Sequence, residues 1–323
     1  MRRTPEDGPR STFVSAQDGL RLHVREYGAR IATAVPVVCL PGLTRTTADF
    51  DALAPALAYG QPKRRVVAID SRGRGRSEYD INPQNYNLAV ELADVVTVLA
   101  AIQIGQAVFV GSSRGGLLTM LLAVAHPTGI AGVILHDIGP VIEPQGLARI
   151  KSYVGKLPRP GNFAEGAEIL RRLFDAQFPK LTADQWLAAA QHTWKLENGK
   201  LALTYDVRLA STLAEFDIEH PLTPMWNEFD ALACVPILVI RGANSDILSA
   251  DTVDTMRARH PGLTAIEVAD QGHVPLLDSA EVIERISEFV QGCDICQVAG
   301  IGRRASRALL GEVNPRQRTV ARD

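Results

Sequence analysis

An apolar run, Ala107-Val108-Phe109-Val110, leads directly into Gly111-Ser112-Ser113-Arg114-Gly115 and then into a helical pattern that lasts to Ala125. Small residues two before and two after a serine allow the sharp strand-to-helix turn, a nucleophile elbow, that holds its hydroxyl next to a base. A serine hydroxyl is a weak nucleophile until a base sits beside it. Ser113 is therefore the candidate nucleophile. The structural alternative is a glycine-flanked helix start in which Ser112 or Ser113 is only an N-cap.

The surrounding chain supplies the sheet. Residues 12–24 alternate as an antiparallel hairpin around Asp18-Gly19, and buried-strand runs follow at 35–40, 65–70, 107–110 and 132–135, with helical stretches at 50–57, 88–102 and 116–125 between them. This alternation predicts a parallel sheet with helices on both faces. The rhythm stops at Asp137, where helical segments at 166–174 and 183–194 are punctuated by prolines and no buried strand is evident. It resumes with strands at 235–240 and 264–268 and helices at 250–258 and 279–290. The expected organisation is a core of residues 12–137 and 234–290, a helical cap of residues 138–233, a disordered N-terminus (1–11) and a basic C-terminal tail (291–323).

At 323 residues, with 46% hydrophobic and 22% charged residues, the chain can bury a substantial core without staples. A net charge of −2 gives no reason to expect a nucleic-acid partner for the body, and no apolar run reaches the length of a membrane span. Met1-Arg2-Arg3 is not followed by the apolar segment of a signal peptide, and Cys39 and Cys234 fall in apolar, strand-like runs that suit reduced thiols, so a cytoplasmic setting is expected. No metal or other cofactor is called for; the expected partner is a small-molecule substrate, and the oligomeric state is open.

Of the seven histidines, His273 stands apart because Asp270-Gln271-Gly272-His273-Val274 lies just past the last strand, where a side chain projects above the sheet edge. A third group must orient its imidazole. Asp246, on the loop Arg241-Gly242-Ala243-Asn244-Ser245-Asp246-Ile247-Leu248, is the preferred acid, because Gly242 and Ser245 leave it free to turn inward. Asp137, just past the strand after the elbow, is the alternative, and spacing does not decide between them. Oxyanion donors are expected at the backbone N–H groups of Arg114 and Leu43.

Gly42-Leu43, the segment Asp70-Ser71-Arg72-Gly73-Arg74-Gly75-Arg76-Ser77, the Ser113 pentapeptide, the loop from Gly242 and Gly272-His273 together resemble the serial signatures of the α/β-hydrolase superfamily, in particular its capped esterase, lactonase and meta-cleavage-product hydrolase group. The resemblance covers residues 12–290. It implies a mostly parallel eight-stranded sheet under a helical cap, with Ser113 as nucleophile, His273 as base, Asp246 as acid, and Leu43 and Arg114 as the oxyanion hole. It also implies that the Asp70 to Ser77 segment is a structural turn. Pro41 departs from the histidine that many relatives carry there, and serine at the elbow argues against epoxide or haloalkane chemistry.

The insertion carries Phe163, Phe174, Phe178, Trp186, Trp194 and Trp226, candidates for an apolar pocket or simply for the insertion's own core. Arg45 and Arg114 flank the expected oxyanion site and are candidates to hold a substrate carboxylate. The reading is a serine hydrolase for an ester, lactone, amide or activated C–C bond. A second class stays open, an inactive hydrolase scaffold whose arginine-rich tail contacts a partner: residues 298–310 are similar to a helix-hairpin-helix element with a glycine turn, and Cys293-Asp294-Ile295-Cys296 is too little for a zinc site.

Overall fold

The structure, a computed structural model, describes residues 8–309 and side chains as far as 295. Its strands and helices, in chain order, are β1 (Arg10–Ser15), β2 (Arg21–Tyr27), β3 (Val37–Leu40), α1 (Leu53–Tyr59), β4 (Val66–Ile69), α2 (Leu88–Ala101), β5 (Ala107–Ser112), α3 (Arg114–Ala125) and β6 (Ile130–His136). After α4 (Pro144–Tyr153), α5 (Phe163–Phe174), α6 (Ala183–Thr193), β7 (Trp194–Glu197), β8 (Lys200–Leu203) and α7 (Trp226–Asp230) come β9 (Ile237–Gly242), α8 (Ala250–Arg259), β10 (Leu263–Val268) and α9 (Ala280–Leu309).

Eight strands form one sheet in the order β1-β2-β4-β3-β5-β6-β9-β10. The pairings β1 with β2 and β2 with β4 are antiparallel, and all others are parallel. Every residue of β3, β4, β5 and β6 is buried, as strands covered on both faces require. Alternate residues feed opposite layers. Val38, Leu40, Val67, Ile69 and Phe109 pack toward Val95 and Val98 of α2 and Leu118 of α3, whereas Val37, Cys39, Val66, Ala68 and Val108 pack toward Leu53 and Leu57 of α1 and Ile286 and Val290 of α9. The chain passes from β3 to β4 on one side and then returns to β5 on the other, so the order in which strands are added reverses between the parallel neighbours β3 and β5. Crevices at such reversals, outside the carboxyl ends of the strands, are where ligands of open α/β sheets bind. Here that crevice receives the Gly42-Leu43 loop and Ser113.

The insertion between β6 and β9 differs from the sequence reading. It contains the antiparallel hairpin β7-β8, with Glu197 facing Lys200 across Asn198 and Gly199, both at positive φ (50° and 75°). This is the asparagine-glycine turn that matches the twist of paired strands. A separate core of Leu170, Phe178, Trp186, Ala190, Trp194 and Leu201 holds α5, α6 and the hairpin together.

At the ends, β1 begins at Arg10, inside the segment expected to be disordered, while residues 1–7 lie outside the described part. The boundary expected at Val290 falls within α9: Cys293 is buried, and Asp294 accepts hydrogen bonds from the Val35 N–H (2.8 Å) and from Arg64 Nη2 (2.9 Å). The backbone is helical through Gly300 and Gly302, so the glycine turn of a helix-hairpin-helix element is not formed; the arginines beyond, from Arg303 to Arg322, lie outside the described side chains. Cys234, expected in a strand, is exposed just before β9. Among the described residues, no helix is long and apolar enough to cross a membrane.

Candidate active site

Ser113 sits between β5 and α3 at φ 48° and ψ −115°, a left-handed backbone that a serine adopts only under constraint. The flanking glycines show the constraint. A Cβ on Gly111 would lie 2.5 Å from Gly116 Cα, and one on Gly115 would lie 2.0 Å from the Leu40 carbonyl oxygen. The motif therefore spells out where strand, helix and the neighbouring β3 come too close for side chains. The Ser113 N–H donates to His136 O (3.0 Å), tying the elbow to the end of β6.

His273, on the loop after β10, lies over this elbow with Nε2 2.8 Å from Ser113 Oγ. Its Nδ1 is 2.8 Å from Asp137 Oδ2. With the serine hydroxyl donating to Nε2, the ring proton is on Nδ1 and is donated to the carboxylate. Asp137 is fully buried at positive φ (54°). It also accepts from the Gly242 N–H through Oδ1 (2.8 Å) and from the Ser245 hydroxyl through Oδ2 (2.7 Å).

The preference for Asp246 as the partner of His273 is corrected by this geometry. Gly242 and Ser245 do not free Asp246 to turn inward; they bind Asp137. Ser245 Oγ accepts from the N–H groups of Ile247 and Leu248, which closes the loop, and the Asp246 side chain turns to α4, where Arg149 Nε and Nη2 hold its two oxygens at 2.6 and 2.8 Å.

A cavity of about 370 Å³ opens beside Ser113 and His273. Leu43 and Gly42 form one wall, and a Cβ on Gly42 would lie 3.5 Å from Ser113 Cβ. Among the described residues, the Leu43 and Arg114 N–H groups make no hydrogen bond, which leaves both free to meet an oxyanion. The insertion supplies the apolar wall through Leu157, Leu170, Phe174, Phe178 and Trp186, while Arg45, Asp49, His192 and Tyr153 make a polar side.

The other sequence candidates divide. Trp186 lines the cavity, but Trp194 is buried in the insertion's core against Gly166, and Trp226 packs edge-on to Phe229 under the Arg259 guanidinium, so neither reaches it. Arg45 lines the cavity with Nε and Nη2 already on Asp49 (2.8 and 2.7 Å). Burial opposes its charge, yet the Asp49 carboxylate raises its pKa above the ordinary arginine value. The Arg114 side chain points away from the cavity, to Glu91 Oε2 (2.7 Å).

His136 was not anticipated. It lines the cavity floor, with Nδ1 against Ser112 Oγ (2.5 Å) and Nε2 2.8 Å from Pro275 O. Burial, outweighing the pull of neighbouring Asp137, lowers its pKa to about 4, so the ring is neutral near pH 7 and joins the His273 loop to the residue before Ser113. Its place at the end of β6, one residue before Asp137, was the available signal. Among the described residues, no group of three or more His, Cys, Asp or Glu side chains is arranged to hold a metal ion.

Against known proteins, the family model described as the alpha/beta hydrolase family matches residues 37–285. A 3-hydroxybutyrate-oligomer hydrolase of Cupriavidus necator is 35% identical over 287 residues, covering 85% of this chain and 95% of that protein. A 2-(acetamidomethylene)succinate hydrolase of Mesorhizobium japonicum is 23% identical over 278 residues, covering 84% of this chain and 92% of that protein. Among solved structures, an alpha/beta hydrolase of Novosphingobium aromaticivorans is similar with a TM-score of 0.81 and 39% identity, over 90% of this chain and 99% of that chain.

Proposed function

Since this chain belongs to the alpha/beta hydrolase family, we propose that it is a serine hydrolase working through an acyl-enzyme on Ser113. His273 takes the proton of Ser113 Oγ as that oxygen attacks a carbonyl carbon, and Asp137 stabilises the imidazolium. The carbonyl oxygen becomes an oxyanion facing the Leu43 and Arg114 N–H groups. Collapse of the tetrahedral intermediate breaks the bond to the leaving group, which takes the proton from His273, and water activated by the same histidine then releases the acid. The single observation that carries this reading is the unbroken line from Ser113 Oγ through both nitrogens of His273 to Asp137, with 2.8 Å at each step.

For the bond cleaved, an ester is our first choice among ester, lactone, amide and activated carbon-carbon bonds. The Cupriavidus relative is named for an oligomer of a hydroxy acid, and units of a hydroxy acid join through esters and leave a free carboxylate at one end. An apolar wall with Arg45 on the opposite side suits a small ester bearing such a carboxylate. The segment from α4 to α7 acts as the cap that closes over the acyl group.

A fluorophosphonate probe tests the mechanism directly. Stoichiometric labelling of Ser113 in the native protein, with Ser113→Ala neither labelled nor active on an ester and lactone panel, is expected. No labelling of the native protein, with wild type and Ser113→Ala equally without turnover on the panel, would overturn it in favour of an inactive scaffold that binds a partner.

A further inference from the structure

The proposed oxyanion donors come from two loops distant in sequence, and their separation must hold to a fraction of an ångström for both to meet one oxygen. Leu43 follows β3; Arg114 opens α3. The β3–β5 ladder sets Leu40 opposite Gly111, three residues before each donor, but both donors lie on the segments beyond it. A buried ion cluster spans those two segments.

Arg74, on the turn after β4, is fully buried, and its Nε donates to the Leu43 carbonyl oxygen at 2.7 Å. Its Nη1 donates to Glu91 Oε1 (2.8 Å) and to Arg72 O (2.6 Å). Glu91, in the first turn of α2 and 1% exposed, offers its other oxygen, Oε2, to Arg114 Nε at 2.7 Å. One carboxylate thus grips two guanidinium groups, each attached to one of the two donor residues: Arg74 through the Leu43 carbonyl, Arg114 through its own side chain.

A cluster of two arginines and one carboxylate carries one net positive charge out of water, an arrangement that hydrophobic residues of the same volume commonly match or exceed in stability. Arg74 Nη2 even remains buried without a hydrogen-bond partner. Stability alone therefore gives a poor account of these three residues, and their link to both donors gives a better one. Burial opposes ionisation of Glu91, but the two guanidinium groups outweigh it and hold its pKa below the usual carboxylate range.

We infer that Glu91 is a positioning residue, which sets the Leu43 and Arg114 N–H groups at the spacing an oxyanion requires. The inference rests on the serine-hydrolase reading above. It concerns the transition state, in which the carbonyl oxygen has become an anion, more than the bound substrate, so it separates kcat from KM.

The test uses Glu91→Gln and Arg114→Met. Both keep the backbone N–H groups, and the second removes the tether at the less buried end, which guards against a variant that fails to fold. On p-nitrophenyl butyrate each is expected to lower kcat about tenfold with KM within about twofold, the size of effect that a small displacement of a catalytic group produces. Inhibition by phenylboronic acid, whose adduct on Ser113 places an oxygen at the same site, should weaken in parallel. The double variant should be no worse than the weaker single one, because both break one tether. Unchanged kcat in a folded Arg114→Met protein would overturn the inference, as would equal changes in kcat and KM. A rise in kcat for Glu91→Gln would also overturn it, by assigning the cluster a purely electrostatic role. Wild type that fails to react with fluorophosphonate would instead overturn the hydrolase reading itself; wild type that reacts, with Arg114→Met turning over equally fast, sinks only the role of Glu91.

Discussion

The Asp137 carboxylate lies 2.8 Å from His273 Nδ1, although the two residues come from strands that are not neighbours in the sheet. What brings them together is β9, which runs between β6 and β10: its last residue, Gly242, and Ser245 on the loop that follows each donate a hydrogen bond to Asp137. The carboxylate is thus held by three donors, a preorganisation that suits the charge-stabilising role proposed for it.

The first prediction follows from that arrangement. Asp137→Asn should lower kcat/KM by about 10⁴-fold, because an amide whose oxygen still receives the Gly242 N–H turns its NH2 group to His273 Nδ1, where it donates and favours the wrong tautomer. Asp246→Asn should leave turnover within a few fold and lower stability by about 1 kcal/mol, since it mainly weakens the partly exposed pair with Arg149. Steady-state kinetics of the two proteins, side by side, decide the matter; the opposite ranking would remove Asp137 from the mechanism.

Much of this was readable in the chain, and the reasons for the exceptions are physical. The strand-turn-helix of Ser113 and the loop of His273 announce themselves because close approach demands glycine at fixed offsets. The choice between Asp137 and Asp246 could not be read, since the register that pairs His136 with Ile240 sets both strand ends beside the same imidazole. Which carboxylate turns in depends on Ser245 Oγ and on Arg149 from α4, a helix the sequence reading did not place. Asn198-Gly199 is a hairpin signal, but the strands it joins are only four residues long and lie among helical segments, so no apolar run marks them. The Glu91 tether joins residues from four segments, at Leu43, Arg74, Glu91 and Arg114, and has no local pattern at all.

A second prediction concerns pH. In the unfolded chain His136 binds a proton below about pH 6.5, whereas in the folded protein burial delays this to about 4. Between those values the unfolded state carries the extra proton, so stability rises with pH across this window. The contribution is complete above pH 6.5, declines as pH falls, and levels off below 4 after a loss of about 3 kcal/mol. Urea unfolding at pH 7.5, 5.5 and 4.5 should therefore show a steeper decline for wild type than for His136→Gln. Parallel profiles would show that the ring is not held neutral.

A third prediction tests where the core ends. Truncation after Val290 removes the buried Cys293 and the Asp294 carboxylate, leaving Arg64, itself buried, without its ion-pair partner. A loss of about 3 kcal/mol is expected, since an uncompensated buried charge is among the more damaging single changes. Asp294→Ala alone should reproduce much of it. Thermal melts matching those of the full-length protein would return the boundary to Val290.

The final prediction concerns the substrate carboxylate. Arg45 faces the cavity, but two of its nitrogens are taken by Asp49, so part of its charge is already answered. A substrate carboxylate must compete with that neighbour, which sets the attraction at the low end of the roughly 1.5–3 kcal/mol that a charge-assisted hydrogen bond supplies. For an ester and its carboxylate-bearing analogue, Arg45→Ala should raise KM about tenfold for the charged member only, and Asp49→Asn should lower that same KM by freeing the guanidinium. Arg114→Met should leave the charged-to-neutral KM ratio unchanged, because the Arg114 side chain is turned to Glu91 and away from the cavity. Opposite shifts from Arg45 and Asp49 are the signature of a guanidinium shared between protein and substrate. Equal turnover of both esters by all four proteins would mean that Asp49 satisfies Arg45 completely, and would leave the apolar wall to choose the substrate.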